Sequence, residues 1–529
     1  MNEPQSTPAG SLRSLSARQV TITFIGVILA MFLSSLDQTV VGTAMPRIVS
    51  DLGDFSKYTW ITSVYIITSA VTIPVVGKLT DMYGRKMFYI VGLATFVAAS
   101  ILSGLANTMN QLIIFRGIQG IGAGVMMANA YTVIGDLFPA SERGKYQGYI
   151  SGVFGISSVI GPTLGGFLTD SLSWHWVFFI NVPLGLLVII LFIKYFPNLK
   201  PDAKKHTIDY AGLTVLVLMV GTAMLALSWA GVEYSWSSGV IIGMFCFAAV
   251  MLVAFIFIEN KAAEPIIPLE IFRNRIISVS LIVIFLSGIA MFGVIIFIPL
   301  YFQGVLGATA TASGTFLMPM MLGIVFGSFA WGQLLSRAGG HYRILGFIGL
   351  GIMTIGLFFL SRITVDTSYA TSVICIIVVG VGLGSTMPLY MIAVQNAVSY
   401  SILGAATSAA AFFRSLGGSV GLAILGSIMN NRFASDLMGI LPQQLKDAIP
   451  ADELQALATN PQALVSPEAQ SQLLQMTGGN QSILDQFLEV LRQALASSLA
   501  HVFFISLCVI IFAILVHAFI KEIPLRKTH

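Results

Sequence analysis

Apolar residues run along this chain in blocks of about twenty, broken by short polar stretches. That length crosses a bilayer as an α-helix, because a rise of 1.5 Å per residue covers a hydrocarbon core of about 30 Å in roughly twenty residues. The blocks predict fourteen spans, at 20–45, 57–79, 87–107, 110–135, 146–169, 174–196, 208–230, 237–258, 276–302, 312–335, 343–362, 370–393, 404–430 and 497–520. Continuous runs exclude a closed barrel, whose strands would alternate over about ten residues. The fold class is therefore an all-α polytopic membrane protein. One polar connection is long. Residues 433–495 carry ADELQALATN, SPEAQSQLLQ and QSILDQFLEVLRQALASSLA, whose apolar positions recur at helical spacing. They predict short amphipathic helices on the outer membrane face, the last running into the final span.

Composition agrees: 56% of residues are hydrophobic and 9% charged, with a mean hydropathy of +0.88, whereas soluble domains are about a quarter charged. The polar start, residues 1–19, leads straight into a full-length span, so no cleaved signal peptide is expected. Cys246, Cys375 and Cys508 all fall inside apolar blocks, which predicts no disulfide and no metal site. The net charge of +4 comes from scattered loop residues and forms no basic stripe, so no nucleic-acid partner is expected.

An even number of spans puts both termini on one side. Counting lysine and arginine loop by loop with the N-terminus inside gives 19 inner against 6 outer, with Arg116 and Arg414 within spans. The positive-inside rule then predicts cytoplasmic termini. The chain also repeats itself. Gly77-Lys-Leu-Thr-Asp-Met-Tyr-Gly84 follows the second span and Gly332-Gln-Leu-Leu-Ser-Arg-Ala-Gly339 the tenth, an internal symmetry that marks transporters built from related bundles. Spans 1–6 (residues 20–196) and 9–14 (276–520, including 433–495) form the two halves. Residues 197–275 supply two inserted spans, and 521–529 a cytoplasmic tail.

Charge inside the spans is where chemistry is expected. Asp37, in LSSLDQTVVGTAMP, is the one acid well within a predicted span, and a charge at bilayer depth is costly enough to be a functional hypothesis by default. Arg116 enters span 4 from the same side at a similar depth and is always charged. The two can meet, either as a proton switch tuned by burial and distance or as a permanent pair tying spans 1 and 4 together. Arg414, near the middle of span 13, has no acid in the second half to pair with. Reaching Asp37, bonding backbone carbonyls or meeting an anionic substrate group are all open to it. Weaker candidates for a cavity lining are Tyr65, Asn129, Met318, Met320, Gln395, Asn396, Phe412 and Phe413. There is no phosphate-binding loop and no nucleophile–base arrangement, so neither ATP drive nor catalysis is expected.

Four stretches, LDQTVVGTAMP, GKLTDMYGRK, FRGIQGIGAG and ISSVIGPTLGG, occur in an order that resembles the fourteen-helix drug:proton antiporter family of the major facilitator superfamily. SWHWVFFINVPLG and FRSLGGSVG add to the likeness. The resemblance implies two six-helix bundles plus two inserted helices, alternating access, and the proton motive force as energy source in place of any cofactor. It implies a latch at Gly77, Asp81, Gly84 and Arg85, with Asp81 facing the start of span 13 near Leu403. It also implies that the fifth helix, whose motif carries Gly161, Pro162, Gly165 and Gly166, packs at the interface between the halves. Protons, membrane lipids and hydrophobic or amphiphilic small molecules are the expected partners of a monomer in the bacterial cytoplasmic membrane. A departure is the lack of further acids in the second half, which disfavours dications and leaves monocationic, neutral or amphiphilic substrates. Export of an endogenous lipid through 433–495, or a facilitative channel or receptor on the same bundle, remain alternatives.

Overall fold

The structure is a computed structural model that describes residues 16–53, 57–197, 207–231, 233–307, 310–337, 341–442 and 481–525. Helices account for nearly all of them: α1 (Ala17–Leu52), α2 (Tyr58–Tyr83), α3 (Arg85–Gly104), α4 (Met109–Leu137), α5 (Ala140–Ser171), α6 (Trp176–Phe179), α7 (Asn181–Tyr195), α8 (Tyr210–Trp229), α9 (Gly239–Glu259), α10 (Arg275–Leu300), α11 (Ala310–Arg337), α12 (Tyr342–Leu360), α13 (Tyr369–Asn396), α14 (Leu403–Ile440) and α15 (Gln481–His517). With α6 and α7 forming one span, these give 14 helical spans long and apolar enough to cross a membrane.

Local chemistry sets the helix ends. Ser16 opens α1 with a reciprocal capping box to Gln19, and Thr108, Asp209, Ser238, Asn274 and Ser368 each cap a helix by accepting a backbone N–H. Gly84, at φ 90°, makes the abrupt turn from α2 to α3, a conformation that side chains resist.

Several helices outrun their apolar blocks, because a helix does not stop where the hydrocarbon does. α1 continues to Leu52, α5 begins at Ala140, and α10 passes through a π-turn at Tyr301–Val305. The largest revision concerns the long polar connection. Its first residues extend α14 to Ile440 and its last belong to α15, which runs unbroken from Gln481 into the final span. The two extensions pack side by side, burying Phe433 and Leu437 as well as Phe487, Leu491 and Leu495. Asp436 accepts from Ser497 Oγ at 2.7 Å and pairs with Arg432 at 3.1 Å. ADELQALATN and SPEAQSQLLQ lie outside the described residues.

Helices α1–α7 and α10–α15 pack as two bundles, with α8 and α9 against each other and α8 set against α2 and α14. In α9 only Ile241, Ala248, Phe255 and Glu259 are buried, as expected of a lipid-facing helix. The bundles meet along two seams, α2 with α14 and α5 with α11. A Cβ on Gly77 would run into Ser408 and the carbonyl of Gly404, and Gly144 and Gly332 bring α5 and α11 backbone to backbone. The first glycines of the two repeated segments thus sit at the two seams. Ser336, where the first repeat has Asp81, donates to Gly332 O in its own helix and to no other described residue.

Candidate functional site

The polar centre of the first bundle is built on Asp37. Its side chain is 0% exposed and accepts from Arg116 Nη1 at 2.6 Å on Oδ2, and from Gln119 Nε2 at 2.9 Å and Asn181 Nδ2 at 2.8 Å on Oδ1. Arg116 Nη1 also donates to Gln119 Oε1 at 2.8 Å, while Ser100 Oγ receives from Gln119 and Asn181 at 2.7 and 2.9 Å. Helices α1, α3, α4 and α7 thereby converge on one carboxylate. Each bond to it comes from a donor on another helix, so the carboxylate is the shared acceptor of the cluster. Asp37 and Arg116 stand out in the sequence because a charge at depth does. Gln119, Asn181 and Ser100 do not, although the first two lie within FRGIQG and INVPLG.

Tyr65 connects this centre to a cavity. Its ring lies 4.2 Å from Arg116 Cζ, its hydroxyl 3.4 Å from Ser34 Oγ, and the same side chain forms part of the wall of a cavity of about 180 Å³ between the bundles. Gln38, the neighbour of Asp37, lines it too; Asp37 does not. The wall is largely apolar and rich in methionine, with Met31 and Met127 from the first bundle and Met291, Met321 and Met387 from the second. Flexible, polarizable side chains of that kind suit adaptable binding.

Of the expected lining residues, Tyr65 and Arg414 face the cavity. The others do not. Asn129 is buried and donates to Val125 O at 3.0 Å within its own helix, Met320 is buried beside Gly380, and Met318 is exposed. Phe412 is buried and Phe413 turns toward Phe272. On α11 and α14 an adjacent residue takes the cavity face, Met321 next to Met320, Ala411 next to Phe412 and Arg414 next to Phe413, since one residue turns a helix through about 100°. Gln395 and Asn396 lie further along α13 at the terminal face, the face on which α1 begins and α15 ends. Gln395 Nε2 donates to Tyr131 O at 3.1 Å, and Asn396 Nδ2 to Tyr342 Oη and Pro524 O at 2.9 and 3.0 Å.

Below the cavity the halves are bolted together at that face. Asp81 accepts from the backbone N–H groups of Gly404 and Ala405, at 3.0 and 2.8 Å, in the first turn of α14, where the helix dipole favours an anion. Arg85 holds Asp81 in place at 2.8 Å, bonds Thr80 Oγ1 at 3.0 Å, and forms a buried ion pair with Asp136. Hydropathy does not single out Asp136, because the apolar block stops one residue before it. Arg143 ties Phe138 O and Gly135 O to Gln395 across the seam.

The fifth helix packs against α11 of the other half, but its motif glycines face the first bundle. Gly161 and Gly165 admit Thr39 and Thr43 of α1, so they seal the first bundle internally, and Gly166 has nothing near it. Contact with the other half is made earlier on α5, by Gly144, Gly148 and Gly155 against α11. Pro162 lies within α5 on the stretch facing α1.

Two helical bundles enclosing a central cavity, with a buried Asp37–Arg116 pair one side chain from its wall, are the architecture of a membrane transport protein. The chain belongs to the Major Facilitator Superfamily, whose family profile matches residues 27–422. It is 39% identical over 518 residues to the multidrug transporter protein MdtP of Bacillus subtilis (strain 168), covering 96% of this chain and 94% of that protein. It is 38% identical to multidrug resistance protein 3 of the same organism, over 97% of this chain and 98% of the relative. Among solved structures, the proton:xylose symporter XylE superposes with a TM-score of 0.59 at 13% identity, over 96% of this chain and 97% of XylE, a likeness of fold alone.

Proposed function

We propose that the protein is a proton-coupled multidrug antiporter that exports hydrophobic and amphiphilic small molecules by alternating access, from a bacterial cytoplasmic membrane with both termini inside. One observation carries the reading: Asp37 is a carboxylate one side chain behind the cavity wall, joined to that wall by Arg116 and Tyr65. Oδ1 is held by two amides and Oδ2 by Arg116 alone. A proton arriving on Oδ2 therefore displaces one bond, the one to Arg116. The freed guanidinium shifts against the Tyr65 ring, and the cavity wall moves with it. Loss of the proton to the inner side restores the pair as the next substrate is taken up. Each elementary charge carried across the membrane is worth about 2.3 kcal/mol per 100 mV, enough for one proton to drive a useful gradient. The relatives named for multidrug transport and resistance support the substrate breadth.

The test is uphill dye export in proteoliposomes under an imposed pH gradient. Export that follows the gradient, reverses with it and stops with an uncoupler is the expected result. Dye movement that equilibrates regardless of the gradient would contradict antiport and favour a facilitator.

A further inference from the structure

Arg414 on α14 is the cation that the charge balance leaves over. Its Cζ lies 5.6 Å from the Tyr131 ring centre and Nη1 is 3.4 Å from Tyr131 Oη, a long contact, while Nη2 is buried with no partner. The side chain faces the central cavity on one side and a small pocket with Ser287 and Thr386 on the other; Ser287 Oγ is also buried and unpartnered. Among the described residues no carboxylate lines either space. Asp37 cannot serve, being fully enclosed and already holding Arg116, Gln119 and Asn181.

A guanidinium is charged at any working pH, and half-buried Arg414 keeps one nitrogen enclosed without a partner and, among the described residues, has no carboxylate beside it. The remaining wall is largely apolar, with Met127, Phe154, Met291 and Met387 among uncharged polar groups such as Gln38, Ser69 and Ser415. We infer that Arg414 is the recognition site for an acidic group on the substrate, a carboxylate or sulfonate carried on an apolar, aromatic body. The anion supplies the counter-charge that the protein withholds and takes the free Nη2 hydrogen bond, while the body fills the methionine-lined space. This deepens the export reading and rests on it, and it shifts the expected cargo from monocations toward neutral and singly anionic amphiphiles.

Two probes that share one aromatic body separate the charge from it: 8-anilinonaphthalene-1-sulfonate and the neutral N-phenyl-1-naphthylamine, which lacks the sulfonate. Their binding to the full chain in nanodiscs is measured by equilibrium dialysis in gluconate buffer, without any gradient, for wild type, Arg414→Gln and Arg414→Lys. The expected result is tighter wild-type binding of the sulfonate, a loss of about tenfold or more for the sulfonate alone in Arg414→Gln, and partial recovery in Arg414→Lys. Unchanged neutral-probe binding certifies the fold of both variants. Equal loss of both probes, or no loss of either, overturns the inference. So does sulfonate binding abolished by millimolar chloride, which would make the site one for small inorganic anions. Because binding is read without a gradient, a failure of proton-driven export of the neutral probe would indict the export reading and leave this one standing.

Discussion

Both oxygens of Asp37 are occupied by donors, and Asn181 Oδ1 beside it has no partner. Asp37→Asn keeps the hydrogen-bonding shape, because a turned Asn181 amide can receive the new NH₂ group, but it leaves the Arg116 guanidinium buried without its counter-charge. Arg116→Ala strips the cation from the buried carboxylate in the same way, and breaking a buried pair from either side costs about 3–5 kcal/mol. Thermal unfolding of the purified protein should show a clear fall for Asp37→Asn and for Arg116→Ala, and a double variant that loses less than the sum of the two. Additive losses would mean that the two charges do not depend on each other. Asp37 and Arg116 could be read from the sequence because each is expensive at its depth and needs the other. The amides that complete the site are cheap to bury anywhere, so no comparable rule selects Gln119 or Asn181 from the chain's other uncharged polar residues.

Helices meet here through glycines, and their periodicity decides which seam each helix serves. Gly144 and Gly332 admit no side chain without moving backbone, and Asp81 joins α2 to the first turn of α14. Gly332→Val should hold the terminal face open by wedging α5 from α11, and Asp81→Ala should loosen it by removing an anion worth about 0.3–1 kcal/mol at a helix N-terminus. With the three native cysteines replaced, a probe cysteine at Ser408, buried in this closed state, reports both effects. Faster labelling by a membrane-impermeant maleimide from the terminal side is expected, strongly for Gly332→Val and modestly for Asp81→Ala; unchanged labelling would remove these contacts from the gate. Spans were legible from hydropathy, but helix faces were not. Met320 and Met321 look alike in the sequence, and only their register on α11 turns one into the core and the other into the cavity. The same holds for the fifth helix, where a glycine-rich motif announces close packing but cannot say that Gly161 and Gly165 face α1.

Across the whole molecule, the repeat of GKLTDMYG and GQLLSRAG, the two bundles and the inserted pair α8–α9 were foreseeable from length, hydropathy and internal symmetry. The shape of the cavity was not, since it depends on helices of both bundles settling against one another at once. What the assembled molecule achieves is to keep a carboxylate out of the cavity yet one aromatic ring away from it, with the terminal face shut beneath. Coupling in this account is an exchange of a proton on Asp37 for cargo in the cavity. The most direct measurement is the internal pH of proteoliposomes on addition of a transported dye, for wild type and Asp37→Asn. The account predicts dye-induced proton movement in the wild type that vanishes in the variant while the variant still binds dye. Equal proton movement in both would contradict it and reduce the Asp37–Arg116 pair to a tie between helices.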